Sequence, residues 1–202
     1  MPLWAVHLRL LAPFQRYRTH FSETLEPVLR LPGAWIFGLN TARGFAFKNG
    51  VFREGALARC TAFFRDAPPG ALRVVAAHHH LVQSPVERYD PAAWRAERAR
   101  RVFSEAGVDL VLSGHLHHGF MAPAAPGGSP ESRPWVVHSG TSMSARGRGG
   151  EHGMNTMNLI ESSADSVRIV RLRHTGGERF ESIAERRIER RAAPLPTGAA
   201  PV

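Results

Sequence analysis

The feature that most constrains the fold is a set of short, almost unbroken apolar runs that each end in polar residues. These runs are AWIFGLN (34–40), RVVAAHHH (73–80), VDLVLSGHLHH (108–118) and WVVHSGTS (135–142). Runs of this length and composition predict buried strands of a parallel-looking sheet. Helix-like segments separate the first three runs, so the order predicts an α/β architecture. Open α/β sheets usually build their sites at the strand ends, where this chain places its histidines.

Two segments between these runs predict helices. In residues 54–66, apolar side chains recur at helical spacing, and the turn at 68–70 (Pro-Pro-Gly) stops that helix. The second helix is expected to begin at Asp90, a good N-cap that is followed by Pro91, and to close at Gly107.

The C-terminal part predicts further strands and then a tail. A Pro/Gly/Ser-rich loop is expected over 121–134, and strands over 156–161 and 166–173. We therefore assign residues 1–175 to one domain and residues 176–202 to a charged, then Pro/Ala-rich tail. Within this tail we expect a short strand, then a frayed helix and a partly disordered end.

Composition excludes several classes of protein. No apolar run reaches the ~20 residues that a membrane span needs, so we expect no membrane association. His7 and Arg9 interrupt the apolar start, which makes it a poor signal peptide. The single cysteine, Cys60, excludes a disulfide framework and a Cys-rich zinc module. A cytoplasmic protein is the expectation.

The charge balance is basic, with 26 Lys and Arg against 17 Asp and Glu. A basic surface could attract nucleic acid, which gives one alternative function, an Arg-rich nucleic-acid-binding module. The arginines are scattered and interleaved with glutamates, however, and frequent Ala, Gly and Pro accompany them, as GC-rich codons would produce. Nucleic acid is therefore expected only as a substrate.

The histidines are the candidate functional residues. Six of the 11 histidines lie in two clusters, 78–80 and His115, His117 and His118. His115 and His117 are two residues apart, so in extended backbone their rings would project to the same side and could converge on a metal ion. The alternative is a polar loop without a ligand role. A second histidine cluster after a buried strand favours the metal.

Taken in order, these blocks resemble those of the calcineurin-like metallophosphoesterases. VDLVLSGHLHHGF is similar to the family's Gly-His-x-His block, and RVVAAHHHLV to the strand-plus-histidine block before it. GLNTAR (38–43), SGTSMSARGRGG (139–150) and NTMNLI (155–160) extend the likeness to the bacterial branch that includes the class III cyclic-nucleotide phosphodiesterases. The resemblance implies a metallophosphoesterase β-sandwich flanked by helices, a phosphoester substrate and divalent Mn, Fe or Zn ions.

The resemblance also implies roles for individual residues. His78 and His115 match ligands of the family's second metal, and His117 matches a ligand of the first. His79 is expected to line the substrate pocket rather than to be a metal ligand. Asn40 is also expected to line this pocket, because it stands at a strand end near the presumed site, and a turn-forming role is the alternative. Outside this set, His118 is expected to be structural or solvent-exposed and His138 to be a core histidine.

Three further blocks of the family do not occur in the sequence: Asp-x-His, the Gly-Asp that bridges both metals, and Gly-Asn-His-Asp/Glu. The opening MPLW resembles the family residues directly after the last of these blocks, so we expect the C-terminal part of the domain, with low activity. Without the bridging carboxylate two cations would repel each other, but three histidines can still hold one metal. The alternative is a non-catalytic remnant that binds a metal or a partner.

Overall fold

The computed structural model describes residues 12–43, 49–85, 90–125, 127 and 132–190. Its larger sheet contains β1 (Val28–Leu31), β2 (Ala34–Leu39), β3 (Leu72–Ala77), β4 (Leu110–Ser113), β5 (Phe120–Pro123) and β6 (Trp135–His138). Its smaller sheet contains β7 (Thr156–Ser162), β8 (Ser166–Gly176) and β9 (Arg179–Glu189). The helices are α1 (Gln15–His20), α2 (Glu54–Arg65) and α3 (Ala96–Glu105), with a 3-10 turn at Gly149–Glu151.

The larger sheet is mixed, in the order β1-β2-β3-β4-β6-β5. Strands β2, β3, β4 and β6 run parallel to one another, while β1 and β5 are antiparallel edge strands. The smaller sheet is antiparallel throughout. The expected α/β class is confirmed, as a mixed six-stranded sheet combined with an antiparallel three-stranded sheet and helices. Because parallel strands end at the same edge, the residues that follow β2, β3 and β4 gather there.

Burial on both faces explains the unbroken apolar runs. Along β3, Val74 packs in a cluster shared with Ile169 of the smaller sheet, whereas Val75 packs in a cluster shared with Phe64 of α2 and Phe103 of α3. The two faces of the larger sheet are thus covered by the smaller sheet and by helices. A strand in the middle of three layers has no solvent face and so shows no polar alternation.

The start of α3 differs from the prediction. The helix begins at Ala96 and not at Asp90. The amide of Trp94 donates to the carbonyl of Gly50 at 2.8 Å, which holds this segment extended beside residues 50–52. Arg95 then turns into the helix with φ 63°. Tertiary pairing therefore overrides the local capping signal.

The predicted end of α3 is confirmed. Gly107 has φ 69°, the left-handed conformation that a glycine adopts without steric cost, and its amide donates to the carbonyl of Ser104. The predicted helix over 54–66 is likewise confirmed, since α2 spans Glu54–Arg65.

In the C-terminal part, the loop predicted over 121–134 begins three residues later than expected, and the frayed helix predicted after Gly177 is wrong. The segment 121–134 opens with the rest of β5, which pairs with β6 and carries Pro123 at the sheet edge, where a missing amide is tolerated. The charged segment after Gly177 forms β9, a full partner of β8, in place of a short strand and frayed helix. Its inward Ile188 is 4% exposed and packs with the inter-sheet cluster, so the sheet and not the local charge pattern decides its conformation.

Within the described residues, no helix is both long enough and apolar enough to cross a membrane. The expected disordered end, residues 191–202, and the segment MPLW lie outside the described residues. The cytoplasmic location stays a prediction.

Candidate metal centre

Three histidines meet at the carboxyl edge of the larger sheet. His78, His79 and His115 each offer one ring nitrogen, and these nitrogens lie within 4.8 Å of one another. His78 and His79 directly follow β3, and His115 follows β4 after a single glycine. Since β3 and β4 are parallel neighbours, their ends bring the three rings together. The structure thus brings His78 and His115 together, as expected. The third member of the group is His79, in place of the expected His117.

The group is compact and open on one side. Nε2 of His78 lies 3.1 Å from Nδ1 of His115. The ring centroids of His79 and His115 are 4.7 Å apart, and those of His78 and His79 are 4.9 Å apart. His78 is exposed and His115 is half-buried. An ion bound among these nitrogens would therefore remain accessible to water and to a substrate.

The ring of His79 is held from two sides. Its Nδ1 lies 2.8 Å from the hydroxyl oxygen of Thr41, a residue that is 1% exposed. Its other neighbour is Gly50, which packs so closely that a Cβ at this position would overlap the imidazole. Metal-binding histidines usually have such a hydrogen-bonded partner, which fixes the orientation of the ring.

The environment favours the neutral form of the His78 and His115 imidazoles. Burial lowers the pKa of His78, and the nearby His117 lowers it further. Burial, together with His78 and His80, lowers the pKa of His115 to about 4. Because only neutral imidazole can bind a metal, the donor set fits a divalent transition metal at neutral pH.

His117 lies outside this group of three. The expectation that its ring projects to the same side as that of His115 assumed an extended backbone, and this assumption is wrong. His115 and His117 have φ of 83° and 62°, so the chain turns tightly after β4. The ring of His117 contacts the carbonyl of Arg146 through Nδ1, at 3.2 Å. Its role as a ligand of another metal stays a prediction.

Asn40 lies at the end of β2, on the same edge. Its side-chain carbonyl accepts the amide of Ala42 at 3.0 Å, which is the contact of a turn-forming Asn. Its backbone carbonyl accepts from Arg53 at 3.3 Å. Pocket-lining roles for Asn40 and His79 stay predictions.

Behind the metal group lies a buried histidine layer. Nδ1 of His138 donates to the carbonyl of His118 at 2.8 Å, and Nε2 of His118 lies 2.7 Å from the hydroxyl oxygen of Ser84. His118 is 3% exposed and His138 is 0% exposed. The structural role expected for both residues is confirmed, and the solvent-exposed alternative for His118 is wrong.

A buried ion pair connects the carboxyl edge of the larger sheet to the smaller sheet. The carboxylate of Glu151 pairs with Arg171 of β8, and it also accepts from the amide of Gly119 and the hydroxyl of Thr156, each at 3.0 Å. Gly119 directly precedes β5 and closes the turn that carries His115. The pair therefore holds that turn in place.

Sequence reasoning missed Thr41, Gly50 and Glu151. Thr41 lies inside the GLNTAR block, but a hydroxyl after a strand has no local signal that marks a contact 38 positions away along the chain. Gly50 and Glu151 likewise act through residues that are far away along the chain, His79 and Gly119.

Comparison with known proteins gives matches in structure only. No family profile and no curated sequence matches this chain. GAP50, the anchor in the inner membrane complex of Plasmodium, superposes with a TM-score of 0.57 at 14% identity, over 84% of this chain and 54% of that one. The chain thus spans about half the length of GAP50. At this identity the likeness concerns the fold alone.

The matched structures also include Vps29 of Entamoeba histolytica. The wild-type form, complexed with Zn²⁺, gives a TM-score of 0.34 at 10% identity over 76% of this chain and 98% of that chain. A double mutant of the same protein gives a TM-score of 0.32 at 11% identity over 75% and 96%. Scores of this size establish no shared fold.

Proposed function

We propose that the protein is a metal-dependent phosphoesterase of the calcineurin-like type, in which His78, His79 and His115 hold one divalent ion. The observation that carries the proposal is the convergence of three ring nitrogens within 4.8 Å at the carboxyl edge of a largely parallel sheet. The ordered resemblance of the sequence blocks to that family supplies the reaction, the hydrolysis of a phosphomonoester or phosphodiester. Nucleic acid enters only as such a substrate.

The chain's own residues have distinct tasks in this proposal. Thr41 and Gly50 orient His79, while His78 lies on the exposed side from which a phosphoester would approach. Bound here, a Zn, Mn or Fe ion would supply Lewis acidity toward a phosphoryl oxygen and toward water. The turn after β4 brings His115 to this point, and Glu151 keeps that turn in place.

A second candidate is a metal-binding protein without turnover. It is favoured by the composition of the group, because the described residues within 4.8 Å include three histidines and no carboxylate that could bridge two ions. A single ion lacks the two-metal clamp on the attacking and leaving oxygens. We therefore propose low phosphoesterase activity for this chain.

Metal titration and initial rates on bis-p-nitrophenyl phosphate test the proposal together. The chain should bind one Zn²⁺ or Mn²⁺ ion, and His115→Ala and His79→Ala should remove most of the binding and the hydrolysis. His20→Ala is the matched control, because His20 is exposed on α1 and belongs to no metal group of the described residues. Hydrolysis that survives His115→Ala unchanged would refute the proposal, and stoichiometric binding without hydrolysis would favour the second candidate.

The His117→Ala variant tests the remaining ligand prediction. If His117 binds a separate ion, its loss should lower the metal stoichiometry and leave the affinity of the first ion intact. If it has no ligand role, both the stoichiometry and the affinity should match those of the His20→Ala control.

A further inference from the structure

A cleft of about 560 Å³ opens beside the metal group, between α1, the end of β2 and the start of α2. Its walls include Arg18, Arg53 and Arg59, with Glu26 as the acidic member and Asn40 at one side. The volume is in the range of about 300–1,000 Å³ that is usual for small-molecule sites. None of the assigned histidines lines this cleft.

The charges in the cleft do not cancel. Arg59 is neutralised by Glu26, whose carboxylate it contacts at 2.7 Å. Within the part of the chain that the structure describes, Arg18 and Arg53 have no carboxylate partner. Arg53 donates one bond to the backbone carbonyl of Asn40, which satisfies a donor without neutralising the charge. Among the residues that the structure describes, the charges of these two guanidinium groups are therefore not compensated.

The cleft and the metal group share a strand end. Asn40 lines the cleft, and the next residue, Thr41, contacts His79 of the metal group. Consecutive Cα atoms are about 3.8 Å apart, so a ligand in the cleft lies next to the ion-binding edge. The cleft is therefore adjacent to the edge that carries the metal group.

We propose that this cleft binds a second phosphate group of the substrate, one that is not attacked, through Arg18 and Arg53. The guanidinium fork matches phosphate oxygens in geometry and charge, which favours a phosphate beside two arginines that have no carboxylate partner among the described residues. The link to catalysis rests on the proposed phosphoesterase function, whereas the binding of phosphate by the cleft does not. The favoured substrate is accordingly an organic phosphoester that carries an additional phosphate.

The first test measures the binding of inorganic phosphate to the metal-free protein at fixed ionic strength by titration calorimetry. Arg53→Gln and Arg18→Gln should each weaken binding by about tenfold, since each removes a charged hydrogen-bond donor. Arg65→Gln is the matched control, because it removes the same charge from the exposed far end of α2 and should leave the affinity within about twofold. Circular dichroism confirms folding, and the two test positions lie on different elements.

The second test separates the cleft from the metal group. His79→Ala should retain phosphate binding while it loses metal binding and hydrolysis. With metal present, Arg53→Gln should raise KM for a bisphosphorylated substrate and leave its kcat unchanged, with no effect on p-nitrophenyl phosphate.

The possible outcomes are distinguishable. Equal losses of phosphate affinity in Arg53→Gln and Arg65→Gln would show general surface charge and overturn the proposal, as would absent binding or binding that disappears in His79→Ala. Phosphate binding that depends on Arg18 and Arg53, in a protein that hydrolyses nothing, would uphold the anion site and refute the phosphoesterase function alone.

Discussion

The hydroxyl oxygen of Thr41 lies 2.8 Å from Nδ1 of His79, so that a residue at the end of β2 orients a histidine at the end of β3. The two strands are parallel neighbours in register, with Leu39 opposite Ala77. Their next residues therefore leave the sheet side by side. This pairing makes the orientation of one member of the metal group depend on the adjacent strand.

The Thr41→Val variant removes that hydroxyl and keeps the branched shape of the side chain. We expect the affinity for Zn²⁺ to fall by about tenfold or more, because loss of the partner that orients a ligating histidine typically has this effect. The measurement is a competition titration with a chromogenic chelator. Thr175→Val, at an exposed position of β8, serves as the control. An unchanged affinity in Thr41→Val would mean that Thr41 does not orient a ligand.

Replacement of Gly50 by alanine should disturb the same histidine sterically. The added Cβ would overlap the ring of His79, which must then move from its place. We expect a loss of about 1–3 kcal/mol in the free energy of unfolding, as in other overpacked sites, together with weaker metal binding. Urea denaturation measures the first effect. Gly150→Ala, where an added Cβ meets nothing within 4 Å, should be nearly neutral.

The Glu151→Ala variant should be among the most damaging substitutions. It leaves Arg171, whose side chain is 16% exposed, without its carboxylate, and it removes the acceptor of the Gly119 amide and the Thr156 hydroxyl. We expect a loss of about 3 kcal/mol in the free energy of unfolding. The exposed pair of Arg168 and Glu185 provides the comparison, and Glu185→Ala should change stability little.

A double substitution separates the ion pair from the rest of this network. Replacing both partners, as in Glu151→Gln with Arg171→Met, should recover part of the loss that Glu151→Gln causes alone, because no unpaired buried charge then remains. If the double variant is less stable than the sum of the single variants predicts, the pair is not what holds the turn.

His138 should make stability depend on pH. Burial lowers its pKa to about 3, against about 6.5 for an unfolded histidine. Its Nδ1 donates to a carbonyl, and the charged groups that could face it, His80 and His118, are themselves histidines. The folded state therefore stays unprotonated here while the unfolded state takes up a proton. The contribution of His138 to stability is thus lost as pH falls from about 6.5 toward 3.

The His138→Asn variant checks this assignment, because asparagine keeps a donor near the position of Nδ1 and does not titrate. Between pH 6.5 and 4, its free energy of unfolding should fall less steeply than that of the wild type, by up to about 1.4 kcal/mol per pH unit. Parallel slopes for the two proteins would show that His138 does not cause the loss at acidic pH.

Much of the fold follows from local patterns in the sequence. The apolar runs that contain β2, β3, β4 and β6 identify strands with two buried faces, and the periodic apolar positions of α2 identify a helix. The histidines after β3 and β4 follow as neighbours, because the ends of parallel strands share one edge. His78 and His115 could be placed together on this basis alone.

Other features depend on contacts between residues that are distant in the sequence. Pairing with residues 50–52 keeps Trp94 out of α3, and pairing with β8 makes β9 a strand. The left-handed turn at His115 makes His79, and not His117, the third member of the metal group. The sequence by itself determined which segments are buried and which residue types stand at the strand ends. The tertiary structure alone decided which of their atoms meet, because register and turn geometry fix where the side chains lie and neither can be read from a local pattern.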